Sequence, residues 1–404
     1  MFVLHIGLKK SGSASIQTFL ADNQDALRAL SIDYATAGRN KRKAHHNLAH
    51  DALGKPKFDG AQGSLADLAQ AAADPGMARI VISSEMFEGC AAGAVASIKA
   101  RLGGAGRDFR IVLILRDLLD LLPSSYAQKI RYGLQVFDFD TFFEKRMQEV
   151  RVDYFETASR WGDVFGWESL KVRPLDTRYL KNGDLIDDFL DAAGVDLLDP
   201  RIKELERPGL VNAAAGWKVL EALRGLHSGR HGLPDHHPLV RNRGFARNRR
   251  HGKVLEEAAR DVGERLNWNA DRGRYFTRAQ AERVLETYSP SITALNARLP
   301  VALPAPSSLE DRGFVEREFL PDVSQIPPTE LRDFYDALAG LVGEGPIEIA
   351  PELESEPEYE PEPSPEPPSV SVIAPQSPEA AREARRAERR AERRAERIKE
   401  RAKG

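Results

Sequence analysis

The densest chemistry in the chain lies just after its first five apolar residues. Phe2-Val3-Leu4-His5-Ile6 breaks at Gly7 into Leu8-Lys9-Lys10-Ser11-Gly12-Ser13-Ala14-Ser15, and from Ile16 the apolar residues take helical spacing through Phe19, Leu20, Leu27 and Leu30. A strand, a small-residue turn with lysines and a helix opening in Ser and Ala make a phosphate cradle. The glycines let the backbone turn sharply. Amides of the helix's first turn face the loop, where the dipole favours an anion. Lys10 adds a cation beside them. The contacts expected of this loop are Lys10, Ser11, Gly12, Ser13, Ala14 and Ser15.

Gly7 and Gly12 give the spacing G-x-x-x-x-G, which invites comparison with the nucleotide-binding P-loop. That loop places Lys and then Ser/Thr directly after its second glycine, where they reach the outer phosphates and Mg²⁺. Here the lysine precedes Gly12, and Ser13-Ala14 follows it. The stretch keeps the means to hold a phosphate and lacks the magnesium hydroxyl in its usual place, which disfavours ATP chemistry.

A second anion site is written at Arg116-Asp117-Leu118-Leu119-Asp120-Leu121-Leu122-Pro123-Ser124-Ser125-Tyr126-Ala127-Gln128. Arg116 offers a bidentate guanidinium. Pro123 suits a first helical position, which would put Ser124 and Ser125 in an exposed first turn. Two candidates exist for a proton acceptor. Glu85 ends the run Ser83-Ser84-Glu85, and His46, or its neighbour His45, lies in a polar segment with an imidazole near the useful pKa.

Three apolar runs position these groups. Phe2–Ile6, Ala78–Ser84 and Phe109–Leu115 read as buried strands, Ile32–Thr36 and Ser169–Arg173 as weaker ones, with helical patterns between them. That alternation predicts an α/β fold, a parallel β-sheet flanked by helices. Ligands bind beyond the carboxyl ends of such strands. Gly7, Ser84-Glu85 and Arg116 all fall at such ends, so one rim should receive all three. From Val211 to about Ala297 three apolar stripes predict a helical half, and a short helix is expected over Glu330–Leu341. The expected organisation is an α/β anion-binding core over residues 1–200 and a mainly helical part of the same domain over 201–345, which would supply the facing side of the site and a lid. The basic loop Arg241–Arg250 is a candidate lid.

His5-Ile6-Gly7-Leu8-Lys9-Lys10-Ser11-Gly12-Ser13-Ala14-Ser15-Ile16-Gln17 resembles the opening of bacterial sulfotransferase-family proteins, which typically read H-I-G-x-x-K-T-G-T-T-S-I-Q. Ser11, Ser13 and Ala14 stand where the family usually has threonines; the serines keep a hydroxyl and Ala14 does not. Arg116 with Ser124, and then Tyr126-x-Gln128, resembles the family's second site. Trp161–Gly166, Val172-Arg173-Pro174 and Gly183–Leu190 are similar to its W-x-x-x-F-G, V-R-P-F and G-D-L-x-x-D-F-L run. The resemblance spans residues 1 to roughly 225. It implies a P-loop-like sulfotransferase fold and a co-substrate, 3′-phosphoadenosine-5′-phosphosulfate (PAPS). The Lys10 loop would hold its 5′-phosphate, and Arg116 and Ser124 its 3′-phosphate. It implies metal-independent transfer of a sulfuryl group to an acceptor hydroxyl or amine, a carbohydrate being one candidate. Lys10 would act on the leaving phosphate and Glu85 or a histidine as base.

Composition bounds the rest. A 404-residue chain with 42% hydrophobic residues can bury a large core, and its one cysteine, Cys90, excludes a disulfide framework and fits a reducing compartment. No apolar run is long enough to span a bilayer, and the start leaves no room for a signal peptide, so a cytoplasmic protein is expected. Residues 351–378 carry seven Glu and no Lys, Arg or Asp, whereas 379–404 carry eleven Lys/Arg against six Glu, which leaves the body nearly neutral. No nucleic-acid surface follows from that charge. The expected tail is a disordered Pro/Glu-rich linker over 346–378 and a charged Ala/Glu/Arg helix over 379–404, able to bind another protein or surface. His227, His231, His236, His237 and His251 have no supporting ligand spacing, so no metal site is expected. Two other functions compete: a small-molecule kinase, and a non-catalytic nucleotide-binding or tethering protein.

Overall fold

The strands alternate their side chains between two apolar layers, and this sets the architecture. In the computed structural model, which describes residues 1–342 except 42, 73–75, 150–152, 210–214, 242–248, 305–307, 311, 313 and 315–319, five strands form one sheet. They are β1 (Phe2–His5), β2 (Ile32–Tyr34), β3 (Arg79–Ser83), β4 (Phe109–Leu115) and β5 (Leu170–Pro174), in the order β2-β3-β1-β4-β5. Every pairing is parallel. Phe2, Leu4, Ile80, Ile82, Ile111 and Leu113 face one layer, and Val3, Val81, Val112 and Ile114 face the other. This period of two, in β-branched and leucine side chains, is what a sheet buried on both faces requires.

Helix α1 (Ser13–Asp22) and the helix Leu185–Ala192 cover the second face through Ile16, Phe19, Leu20, Phe189 and Leu190. The first face carries Ala92–Gly103, Leu118–Arg131 and Tyr154–Phe165. The helical half, chiefly Trp217–Ser228, Arg249–Arg265, Arg278–Asn296 and Pro328–Val342, joins the same apolar layer. Arg131 and Glu256 form a buried ion pair that ties Leu118–Arg131 to Arg249–Arg265. Residues Met1–Ala350 form one compact unit.

Local expectations shift in three places. The helix expected to begin at Pro123 begins at Leu118, because the Asp117 carboxylate accepts from the Leu119 amide at 2.8 Å and caps it there. Pro123 therefore lies inside the helix, and Ser124 is a turn further in. The polar segment after Lys41 contains the helix His46–Ala52. The basic loop Arg241–Arg250 is shorter than read, with the helix Pro238–Arg241 entering one end and the helix from Arg249 the other. Its centre, residues 242–248, lies outside the described residues, as do the linker and the charged segment of the tail. No helix among the described residues is long and apolar enough to cross a membrane.

Candidate active site

Parallel pairing puts β1 between β3 and β4, so three strand ends lie side by side at one rim. The loop after β1 is held to β4 by Leu8 N–H donating to the Ile114 carbonyl at 3.0 Å and Ile114 N–H donating to the Gly7 carbonyl at 2.8 Å. Lys10 and Gly12 both take left-handed backbone, with φ of 66° and 82°. At Gly12 this costs little, and a Cβ there would lie 2.3 Å from Leu185 Cδ2. Gly12 is also the N-cap of α1 and has no side chain with which to cap it. The Ser15 amide donates to the Gly12 carbonyl at 3.0 Å, which leaves the Ser13 and Ala14 amides of the first turn to whatever the loop binds.

Within the loop, Ser13 and Ser11 are buried, Lys10, Gly12 and Ser15 are partly buried, and Ala14 is exposed. The Ser13 hydroxyl donates to the Leu8 carbonyl at 3.3 Å and so braces the turn. The Ser11 hydroxyl is buried with no protein partner among the described residues. A buried hydroxyl in that state calls for a partner of another kind, and a bound anion would supply an acceptor. The phosphate-cradle reading fits these residues.

Arg116 meets this loop directly. Its Nη1 donates to the Lys10 carbonyl at 2.9 Å and to Ser124 Oγ at 3.3 Å, so the two stretches read separately from sequence as candidate anion sites touch. Burial lowers the Arg116 pKa, with Asp120 and Asp117 opposing, yet a guanidinium stays charged. The Tyr154 hydroxyl donates to the Arg116 carbonyl at 2.5 Å. A pocket opens beside Arg116, lined among others by Tyr154, Leu175, Tyr179, Tyr288 and Ile292. The helical half therefore reaches the rim at the β4–β5 side.

The other side of the loop faces Glu85. A Cβ on Gly7 would lie a tight 3.2 Å from Glu85 Cα, and the Gly7 φ of 106° is one that side chains rarely adopt, so glycine suits this crossing. Glu85 follows β3 in a short 3-10 turn over Glu85–Gly89, capped by the Ser84 hydroxyl, which accepts from Met86 N–H. His46 Nε2 stands 3.6 Å from Glu85 Oε1, and His46 Nδ1 is 2.8 Å from Ser84 Oγ. Gln17, on α1, donates from Nε2 to Glu85 Oε2 at 3.1 Å and to Ser83 Oγ at 3.2 Å. Burial alone would raise the Glu85 pKa. The His46 imidazole, the residue's own backbone amide, Gln17 and His5 outweigh it and hold the carboxyl below its ordinary value. Glu88 fastens the same turn to the loop, accepting from the Lys9 amide at 2.8 Å.

His45 is set apart from its neighbour. It is fully buried, its Nδ1 accepts from the Ser83 amide at 3.1 Å, and its Nε2 lies 2.8 Å from the Ala35 carbonyl. A ring that accepts at one nitrogen and donates at the other is a neutral strut. Burial pushes its pKa down to about 4. Of the two histidines, only His46 faces the carboxylate.

Gln17, Ser83 and Glu88 were given no role in the site from sequence, and Ser84 was read only as part of the strand end that carries Glu85 to the rim. Gln17 had two usable signals, its match to the last position of the opening motif and its place four residues after Ser13 on the helix that leaves the loop. Among the described residues no group of three or more His, Cys, Asp or Glu is placed to hold a metal ion.

No protein-family model matches this chain, and no curated protein matches it. Among solved structures, a sulfotransferase from Alicyclobacillus acidocaldarius matches at 17% identity and a TM-score of 0.32, over 50% of this chain and 87% of that one. A likeness so distant bears no weight here, and the site stands on its own geometry.

Proposed function

We propose that the protein is a sulfotransferase that uses PAPS as donor and an acceptor hydroxyl or amine, a carbohydrate being one candidate. The observation that carries this is the contact of Arg116 with both the Lys10 carbonyl and Ser124. It joins a phosphate cradle to a second cationic anion site, as a nucleotide phosphorylated at both 5′ and 3′ positions requires. The motif resemblance over residues 1 to roughly 225 supports the same reading.

Lys10, with the Ser11–Ser15 stretch, would hold the 5′-phosphate, and Arg116 with Ser124 the 3′-phosphate. Tyr154, Tyr179 and Tyr288 offer aromatic surface to a nucleoside beside them. The donor, when bound, supplies an electrophilic sulfuryl group and a phosphate leaving group. Glu85 takes the proton of the acceptor as the acceptor's new bond to sulfur forms. Lys10 and the first-turn amides meet the charge that gathers on the leaving phosphate. His46, whose Nε2 stands 3.6 Å from Glu85 Oε1, orients the carboxylate and favours its ionised form. On this reading the acceptor enters from the β3 side, where Glu85 and His46 stand, and the nucleotide lies from β1 across β4.

The test is to incubate the purified chain with PAPS and a panel of hydroxyl and amine acceptors, without added metal. Release of 3′-phosphoadenosine-5′-phosphate should depend on the acceptor and be lost in Lys10→Ala and Glu85→Gln. Nucleotide binding without turnover in the unmodified chain, on any acceptor, would favour the tethering function.

A further inference from the structure

We propose that Gln17 is a positioning residue, whose side-chain amide fixes the Glu85 carboxylate and links it, through Ser83, to the buried His5. The proposal rests on the reading of Glu85 as base and adds to it a residue that touches neither donor nor acceptor.

The geometry assigns the amide. A carboxylate only accepts, so the group facing Glu85 Oε2 at 3.1 Å must be the Gln17 NH₂ and not its carbonyl. The same nitrogen spends its other hydrogen on Ser83 Oγ at 3.2 Å. Ser83 Oγ then has its own hydrogen available for His5 Nδ1, 2.7 Å away. The result is a chain of four side chains, His5, Ser83, Gln17 and Glu85, and the first three are almost wholly buried.

Its placement gives the chain a purpose. Gln17 belongs to α1, the helix whose first turn closes the Lys10 loop. One rigid helix thus carries the loop at its start and the tether of the base one turn later. Glu85 is held from opposite sides, Oε2 by Gln17 and Oε1 toward His46. The titratable groups that face it are His46 from the helix His46–Ala52, His5 from β1, Tyr34 from β2 and Glu88 from its own turn. Burial holds His5 near a pKa of about 4, so His5 stays neutral when Glu85 is ionised at neutral pH. Gln17 is then the uncharged donor that keeps the carboxylate in place without quenching it. A Lys or Arg there would pair with the base, and a Leu would leave it to swing.

The experiment follows the Glu85 carboxyl by ¹³C NMR in a pH titration, assigned by its disappearance in Glu85→Gln, for the unmodified chain and for Gln17→Leu and Gln17→Glu. Removing a hydrogen bond to a charged group should move the Glu85 midpoint up by about one pH unit in Gln17→Leu. Gln17→Glu keeps the shape and adds a like charge, so its midpoint should also rise, and this variant stands in should the leucine fail to fold. With donor and acceptor, kcat should fall about tenfold while the affinity for 3′-phosphoadenosine-5′-phosphate stays as in the unmodified chain. An unmoved Glu85 midpoint in the variants that fold, or loss of nucleotide affinity in step with kcat, overturns the positioning role. An unmodified chain that never turns PAPS over overturns the sulfotransferase reading instead, and the titration still reports on the tether.

Discussion

A buried imidazole that accepts from one backbone amide and donates to one carbonyl has no proton left to move, and His45 is in that state beside His46, which is not. Sequence alone left the two equivalent, because neighbours on one polar stretch have the same composition around them. The structure separates them by burial and by what they face. His45→Ala should lower stability by about 3 kcal/mol, since it strands the Ser83 amide and the Ala35 carbonyl in the interior. His46→Ala should leave the melting temperature close to that of the unmodified chain and cost about ten- to a hundredfold in transfer rate. Thermal melts and rates on the two variants read this directly. Lys10→Ala should lose about a hundredfold or more in rate with the fold intact, since it removes a cation that acts on charge developing in the transition state. Turnover unchanged in that variant would take the loop out of the mechanism. Because neighbouring groups hold the Glu85 carboxyl below its ordinary value, the rate should be flat through neutral pH and fall only in acid.

At the scale of elements, the loop depends on glycine at two places for two reasons. Gly7 lets β1's exit pass Glu85, and Gly12 combines a positive φ with the close approach of Leu185. Gly12→Ala should therefore destabilise by more than the roughly 1–2 kcal/mol of left-handed backbone alone. In a Leu185→Ala background the excess should vanish and the backbone cost remain; melts of the two single variants and the double variant measure this. The strands were legible because unbroken apolar runs such as Ile111–Leu115 suit a sheet buried on both faces, and the rim followed from where those runs end. The start of the helix after β4 was misread for a physical reason. Proline is favoured at a first helical position, yet the Asp117 side chain caps five residues earlier, and a single capping bond decides the boundary. The helix His46–Ala52 has only a short apolar stripe, Leu48, Ala49 and Ala52, set among histidines and other polar residues that masked it. The Gln17 tether was illegible because its partners are 66 and 68 residues away and meet only once β1 and β3 pair.

Across the whole molecule, three histidines shielded from water, the buried His5 and His45 and the half-buried His227, sit far from one another in sequence and share one consequence. Burial lowers each from 6.5 to about 4, so between those values the unfolded chain binds protons that the folded chain refuses. Stability is therefore complete above about pH 6.5 and is lost as pH falls toward 4, by up to about 3 kcal/mol for each ring. Melting temperature should drop steeply over that window, and His227→Gln should flatten the slope without touching the rim. A slope unchanged in that variant would mean that His227 is protonated in the folded chain. At the rim, the proposed function needs two phosphate sites to serve one nucleotide. Calorimetric titration of the chain with 3′-phosphoadenosine-5′-phosphate, against adenosine 5′-phosphate and ATP with Mg²⁺, tests it most directly. The doubly phosphorylated nucleotide should bind with a preference over adenosine 5′-phosphate that disappears in Arg116→Ala, and ATP should show no comparable binding. Equal affinity for the two adenosine phosphates, or tighter magnesium-dependent binding of ATP, would contradict it.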